Sequence, residues 1–135
     1  MVHVLLPVDG SPASTRAVRM VIALYLRLAP VSVTLLHVEV ADGVADERLA
    51  GSAAPPAPRM DPMASAKTML DHAGVPYATE VRRGYVASSI VDCAKAVNCD
   101  AIVMGTRGLG STGELLGSVA RQVITLADVP VTLVK

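Results

Sequence analysis

Five apolar runs alternate with segments of helical periodicity, and this alternation restricts the possible folds more than any other feature of the sequence. The apolar runs predict strands at residues 2–8, 31–40, 76–82, 100–104 and 130–135. The segments between them predict helices near residues 12–28, 63–73, 86–98 and 118–128. Strands that alternate with helices build parallel sheets, and the helices cover both faces. The sequence therefore predicts an α/β fold with a doubly wound, five-stranded parallel sheet, in which the half-alternating run 76–82 is an edge strand.

Two of the predicted helices have a clear apolar face. The apolar positions of the first helix are Ala17, Val18, Val21, Tyr25 and Leu28. Those of the last helix are Ala120, Val123, Ile124 and Ala127. Spacings of three and four residues place each set on one side of its helix. Ser11 and Pro12 are typical of an N-cap and a first helical position, so we expect the first helix to begin there.

The segment 41–62 is rich in Ala, Pro, Gly and charged residues and has no clear hydrophobic period. Its flanking elements lie too close in sequence for a domain boundary. The chain of 135 residues has the length of one ordinary domain. We therefore predict a single domain over residues 1–135, with a mobile connection at 41–62.

The composition argues against several classes of partner. Twelve basic residues balance twelve acidic ones, and the chain has no Phe or Trp. Nucleic-acid binding usually needs a basic surface and stacking aromatic side chains, so we expect none. No apolar run has the length of a membrane span, and the beginning of the sequence lacks the basic region of a signal peptide. A cytoplasmic protein is expected.

The two cysteines, Cys93 and Cys99, are too few for a disulfide framework or a zinc site. Cys93 shares a predicted helical face with Val86, Ile90 and Val97. We expect two reduced thiols, with Cys93 buried, and no metal site.

Two loops should meet at one edge of the sheet. The turn at Asp9 follows the first predicted strand, and a glycine-rich segment at 105–118 follows the fourth. In doubly wound sheets, ligands bind beyond the carboxyl ends of the strands, where the strand order reverses. If the first and fourth strands are neighbours, these two loops face each other across one crevice.

Five of the fourteen residues in the segment 105–118 are glycines. Residues 108–113 spell G-x-G-x-x-G, but they do not follow a first strand as a dinucleotide fingerprint does. A P-loop is excluded because no Gly-Lys-Ser or Gly-Lys-Thr occurs. An anion site is one interpretation, because glycines admit a ligand close to the backbone and Gly117-Ser118 opens a helix. A loop whose glycines only make turns, with Ser118 as a helix cap, is the other, and the spacing alone leaves both open.

Several segments carry a resemblance to a known family over essentially the whole chain. They are PVDGS at 7–11, MGTRG at 104–108, LLGSVARQV at 115–123 and VPVTLVK at 129–135. The chain resembles the universal stress protein family, whose nucleotide motif is G-x2-G-x9-G-[ST]. Gly105-x2-Gly108 and Gly117-Ser118 match this motif, with eight residues in place of nine between Gly108 and Gly117.

The resemblance implies a fold and a set of ligand contacts. The fold is a Rossmann-like sheet of the adenine nucleotide alpha hydrolase type, with strand order 3-2-1-4-5. Asp9 is similar to the family's acidic residue near the ribose and adenine, and Pro7 lines the same pocket. Val38 resembles the residue whose backbone meets the adenine edge. The phosphates would lie along Gly105, Arg107, Gly108 and Gly110, and would accept hydrogen bonds from Gly117, Ser118 and Val119.

The implied function is that of a stress-response regulatory module that binds ATP or a related adenine nucleotide, with or without Mg²⁺. One alternative is a dimeric scaffold of the same family that binds no nucleotide. A slow nucleotide hydrolase is less favoured, because the loop offers Arg107 as its one cation and no lysine. We therefore expect no enzyme activity and no catalytic residues.

The last predicted strand, 130–135, should lie at an edge of the sheet. Its apolar residues are guarded only by Pro130 and Lys135, which leaves unpaired backbone groups open to self-pairing. The resemblance agrees, because the family commonly dimerises through this strand. A homodimer is expected.

Overall fold

The structure is a computed structural model and describes residues 1–40, 61–106 and 116–135. Its strands are β1 (Val2–Pro7), β2 (Val31–Val40), β3 (Tyr77–Gly84), β4 (Ala101–Gly105) and β5 (Val131–Val134). Its helices are α1 (Pro12–Met20), α2 (Leu26–Leu28), α3 (Ala64–Ala73), α4 (Val86–Val97) and α5 (Ser118–Leu126). A π-helical segment, Val21–Tyr25, joins α1 to α2.

The five strands form one parallel sheet in the order β3-β2-β1-β4-β5. The predicted fold class and strand order are therefore confirmed. β1 lies between β2 and β4, with Leu6 opposite Leu35 on one side and Leu5 opposite Ile102 on the other. Because β1 and β4 are neighbours, the two loops that follow them leave the same edge of the sheet. The run predicted as an edge strand is β3, at one end of the sheet.

Two apolar cores lie on the two faces of the sheet. Along β1, Val4 and Leu6 face the core under α1 and α3, while Leu5 faces the core under α4 and α5. On β2, Leu35 faces the core under α1 and α3, and Leu36 faces the core under α4 and α5. Since successive side chains of a strand point to opposite faces, a central strand covered on both faces must be apolar throughout. This explains why the first two runs of the sequence are nearly continuous in Val and Leu.

The apolar face predicted for residues 12–28 is confirmed in its first half and wrong at its end. Ala17, Val18 and Val21 are fully buried, whereas Leu28 is 82% exposed. The π-helical segment explains the difference, because its wider turn shifts the following residues out of the 3.6-residue period. In α5, Ala120 and Val123 are buried as expected, but Ile124 is 47% exposed.

Residues 41–60 of the connection predicted to be mobile lie outside the described residues, whereas Asp61 and Pro62 are described and lie just before α3. The Met63 N–H donates to Asp61 Oδ1 at 2.9 Å, and Lys67 Nζ lies 3.0 Å from Asp61 Oδ2. The bond from Met63, followed by that from Lys67, holds the pKa of Asp61 below its ordinary value of 3.8. Asp61 therefore orders the beginning of the helix.

Both thiols are free, and Cys93 is buried as predicted; Cys99 is buried as well. Cys93 Sγ donates to Glu80 Oε2 at 2.7 Å. Burial, reinforced by this carboxylate, raises the pKa of Cys93 to about 12. A thiol with such a pKa is protonated at neutral pH and is a poor nucleophile. Within the described part of the chain, no helix has the length and apolarity that crossing a membrane requires.

Candidate functional site

A cavity of about 390 Å³ opens where the carboxyl ends of β1, β2 and β4 meet the first turn of α5. Seven of the residues predicted to contact a ligand line it: Pro7, Asp9, Val38, Gly105, Gly117, Ser118 and Val119. They come from four separate parts of the sequence, and the sheet topology brings them together. The other three predicted residues, Arg107, Gly108 and Gly110, lie outside the described residues. This cavity is called the pocket below.

One wall of the pocket is the turn between β1 and α1. The Ser11 N–H donates to Asp9 Oδ1 at 2.8 Å, and Ser11 Oγ accepts from the Ser14 N–H at 3.2 Å. Ser11 is the N-cap of α1 and Pro12 is its first residue, as predicted. Gly10 has a φ of 81°, a left-handed conformation that explains the glycine. The side chains of this turn therefore satisfy much of its backbone.

His37 supports the same wall through a hydrogen bond to the residue before Asp9. Its Nδ1 lies 3.0 Å from the Val8 carbonyl oxygen, and the Val8 N–H donates to the Leu36 oxygen at 2.8 Å. A carbonyl can only accept, so the proton of this bond is on Nδ1 of His37. Val8 precedes Asp9 directly, so the bond helps to fix the position of the Asp9 turn. This agrees with a structural role for His37 rather than a catalytic one.

The opposite wall is the beginning of α5. Its N-cap is Gly117, with φ −70° and ψ 162°, and no side chain among the described residues caps the helix. The interpretation in which Ser118 caps α5 is therefore wrong, because Ser118 is already the first helical residue. The dihedral angles of Gly117 are open to any residue, so its backbone conformation does not require glycine. The first N–H groups of a helix have no acceptor within the helix, so this turn presents donors to the pocket.

Thr106 connects this wall to the sheet. The Gly117 N–H donates to the Thr106 carbonyl at 2.7 Å, and the Thr106 N–H donates to the Val134 carbonyl at 2.9 Å. Thr106 is buried, so both bonds are shielded from water. The Gly117 N–H, which we expected to meet a phosphate, thus has a protein acceptor. The donors closest to the pocket are the next N–H groups, those of Ser118 and Val119.

The pocket has a polar end and an apolar end. Among the described residues that line it, Asp9 has the only carboxylate side chain, and none is Lys or Arg. Leu36, Val38, Ile90 and Met104 supply aliphatic surface. The described residues contain no group of three His, Cys, Asp or Glu side chains that could hold a metal ion. The arrangement suits a ligand with a flat apolar part, hydroxyl groups and an anionic end.

Sequence reasoning missed several lining residues, and the reason differs among them. Ser11 was predicted only as a helix cap, and Ser14 had no distinguishing pattern. Thr106 lies between the strand and the glycines, so its position could have been found by extending β4. Val86 and Ile90 come from α4, and their approach to the pocket depends on how this helix packs on the sheet.

The comparisons with known proteins agree with this fold. A model of the universal stress protein family matches residues 1–135, so the chain belongs to that family. The resemblance drawn from the sequence segments is thereby confirmed. The universal stress protein MJ0531 of Methanocaldococcus jannaschii is 46% identical over 70 residues, which are 51% of this chain and 41% of the relative. The matched part therefore spans less than half of that relative.

Two solved structures are similar over nearly their full length. Hypothetical protein MJ0577 superposes with a TM-score of 0.79 at 28% identity, covering 98% of this chain and 94% of that one. The universal stress protein from Archaeoglobus fulgidus, solved in complex with dAMP, has a TM-score of 0.70 at 26% identity. The superposition covers 100% of this chain and 98% of the Archaeoglobus fulgidus chain.

Proposed function

We propose that this universal stress protein binds an adenine nucleotide in the pocket and acts as a regulatory module of the stress response in the cytoplasm. The base lies against Val38 and the aliphatic side chains around it. Asp9 and Pro7 meet the ribose side, and the phosphate lies at the start of α5. The phosphate contacts include Ser118 and Val119, and extend to Gly105, Arg107, Gly108 and Gly110.

The observation that carries this proposal is the convergence of these parts on one cavity. Its volume of about 390 Å³ lies within the range of small-molecule sites. The aliphatic end can cover a purine, and the helix start favours an anion through its N–H groups and its dipole. The dAMP complex of the Archaeoglobus fulgidus protein supports the same class of ligand.

Binding is favoured over hydrolysis. Phosphoryl transfer needs positioned cations and a group that orients the attacking water. Among the described residues, the side chains that line the pocket supply no cation from Lys or Arg. Asp9 Oδ1 accepts from the Ser11 N–H, so this carboxylate already orders the turn. A nucleoside triphosphate would bring Mg²⁺ bound to its own phosphates.

The proposal is tested by identifying the bound molecule. Gently purified protein is denatured, and the released small molecules are analysed by mass spectrometry. We expect an adenine nucleotide, and calorimetric titration of stripped protein with AMP, ADP and ATP then gives the preferred phosphate number. Stripped, folded protein that binds none of the three would favour the alternative, a scaffold without nucleotide.

We also propose that the protein forms a homodimer through β5. This strand ends the sheet, and its four residues are all partly exposed. Ile124 and Leu126, at the end of the neighbouring α5, are about half exposed as well. β3, at the other edge, instead carries the charged residues Glu80, Arg82 and Arg83, which protect an edge from self-pairing. An antiparallel pairing of β5 with its own copy would satisfy its outer backbone groups.

The hydrogen-bond ladder shows which residue of β5 to change. The Ile102 N–H donates to Pro130 and the Thr106 N–H to Val134, so the even-numbered residues of β5 bond to β4. The N–H of Leu133 therefore points to the free edge, whereas that of Thr132 points to β4.

Leu133→Pro should shift the protein from dimer to monomer in sedimentation experiments at micromolar concentration. Thr79→Pro is the matched control, because the same alternation turns the N–H of Thr79 to the outer edge of β3. A Leu133→Pro variant that is folded and still dimeric, or a monomeric parent, would place the interface elsewhere or remove it.

A further inference from the structure

The first turn of α1 lies directly against the last residue of β4. A Cβ atom added to Gly105 would lie 2.7 Å from Ala13 Cβ, 3.0 Å from the Ala13 carbonyl carbon and 3.2 Å from its oxygen. Non-bonded carbon atoms prefer separations of about 3.5–4.0 Å. The space between these two residues therefore has no room for another methyl group.

The neighbours of Gly105 cannot easily move aside. Two of the three closest atoms belong to the backbone of Ala13, and an alanine side chain has no rotamer to change. Ala13 is itself buried, and the Ser11 cap fixes the turn in which it lies. A side chain at residue 105 would have to displace the start of α1 from the sheet.

Backbone conformation does not explain this glycine. In the described part of the chain, positive φ angles at glycine occur at Gly10, Gly74 and Gly84, and Gly105 is not among them. The requirement at residue 105 is one of space, and Ala13 creates it.

The contact lies beside the pocket and joins two of its walls. Ser11 and Ser14, on either side of Ala13, line the pocket from α1, while Gly105 and Thr106 line it from β4. The separation of these two elements therefore determines how wide the pocket is at this point.

We propose that Ala13 and Gly105 are a pair of positioning residues that set the width of the nucleotide pocket. Gly105, the first glycine of the family motif, is then required because of Ala13 and not because of a ligand at its α-carbon. Ala13, which lies outside the motif, becomes a determinant of the site. This inference rests on the proposed function and adds to it the element that fixes the fit of the nucleotide.

The test is a double-mutant cycle with Gly105→Ala, Ala13→Gly and the two combined. AMP affinity is measured by calorimetry, and thermal stability is measured on the same samples. Gly105→Ala should weaken AMP binding by at least about tenfold, because the displaced helix widens the pocket. In the double variant the 2.7 Å contact with Ala13 Cβ is absent, while the contacts with the Ala13 carbonyl carbon and oxygen remain, so AMP affinity should recover in part and lie clearly above that of Gly105→Ala.

Leu70→Ala is the control for a general loss of stability. Leu70 lies on α3, is fully buried and is not part of the pocket lining. Its replacement should lower the melting temperature and leave the AMP affinity of the folded protein unchanged. If Gly105→Ala does not fold alone, recovery of folding and of affinity in the double variant supports the pair.

Two results would overturn the inference. One is a Gly105→Ala variant that binds AMP as tightly as the parent. The other is a double variant with parental stability but without recovered affinity, which would show that the ligand itself needs glycine at residue 105. If the parent binds no AMP, the proposed function fails. The thermal stabilities of the same variants then test the pair separately. Losses of stability that add in the double variant, instead of cancelling, would refute the Ala13–Gly105 pair.

Discussion

Two helices begin at the pocket, and they begin in different ways. α1 has Ser11 as its N-cap, whose Oγ accepts from the Ser14 N–H, and Asp9 Oδ1 accepts from the Ser11 N–H. α5 begins at Gly117, and within the described part of the chain no side chain caps it. Both helix starts face the same cavity, so both dipoles favour an anion there.

The difference indicates that the two helix starts have different roles in the pocket. The start of α1 satisfies its own donors through hydroxyl and carboxylate groups, which fits the proposal that it forms a stable wall on the ribose side. The start of α5 leaves its first N–H groups to an external acceptor. We infer that the phosphate binds at α5. A side-chain cap added to α5 should therefore weaken phosphate binding, and removal of the cap of α1 should lower stability.

The largest effect is expected when α5 receives a charged cap of its own. Gly117→Asp places a carboxylate at the N-cap, where φ −70° and ψ 162° accept any residue. The carboxylate should accept from the first-turn N–H groups and repel the phosphate, so AMP affinity should fall by at least about 100-fold. Thermal stability should stay the same or rise, because Asp is a favourable N-cap. Calorimetry and thermal unfolding check the two parts.

Gly117→Ser is the matched control, since it adds a cap without a charge. Its loss of AMP affinity should be clearly smaller than that of Gly117→Asp. A Gly117→Asp variant that binds AMP nearly as well as the parent would show that the phosphate lies elsewhere.

Removal of the cap of α1 should have the opposite consequence. Ser11→Ala loses the hydrogen bond to the Ser14 N–H, which should reduce the free energy of unfolding by about 1 kcal/mol. AMP affinity should change less than in Gly117→Asp. Denaturant unfolding at neutral pH gives the stability, and Ser11→Thr should retain most of it. A large loss of AMP affinity without a loss of stability would contradict the structural role of the α1 cap.

A smaller effect is expected for Asp9, which we propose to lie beside the ribose. Asp9→Ala should weaken AMP more than dAMP, because one hydrogen bond to the 2′-hydroxyl is lost, at about 1 kcal/mol. Asp9→Asn retains an oxygen that can accept from the Ser11 N–H, so it separates the effect on the turn from the effect on the ligand. Equal weakening of AMP and dAMP by Asp9→Ala would place Asp9 away from the ribose.

The smallest effect concerns Asp61, the carboxylate just before α3. Because the pKa of Asp61 is lowered from 3.8 by the Met63 and Lys67 contacts, its contribution to stability is present above pH 3.8. That contribution is lost as the pH falls through the folded-state pKa. Asp61→Asn should therefore have a lower melting temperature than the parent at neutral pH, and this difference should disappear in acid. A gap that is constant with pH would contradict the proposed role of the charge.

The sequence predicted the fold well, because the signals involved are local or nearly so. The β-α alternation determined the class of sheet, and the segments typical of the universal stress protein family determined the strand order. Ser11 was recognised as a cap because its neighbour Pro12 is typical of a first helical position. By contrast, the exposure of Leu28 depends on a π-helical segment that hydrophobic spacing does not reveal.

The lining of the pocket was predicted better than its physical detail. Seven of the predicted residues line one pocket, because their positions at strand and helix ends follow from the topology. The partner of the Gly117 N–H and the contact between Gly105 and Ala13 were not foreseen. The first depends on the distance between β4 and α5, the second on how closely α1 approaches β4, and no local pattern encodes such distances.

The assignment of the phosphate to α5 is tested most directly by amide chemical shifts. ¹⁵N-labelled protein is titrated with AMP and, separately, with adenosine, which lacks the phosphate. The shifts seen only with AMP should be largest at Ser118 and Val119, and small at Ala13 and Ser14. Phosphate-dependent shifts that are largest at Ala13 and Ser14, or no saturable shifts with AMP, would contradict the account.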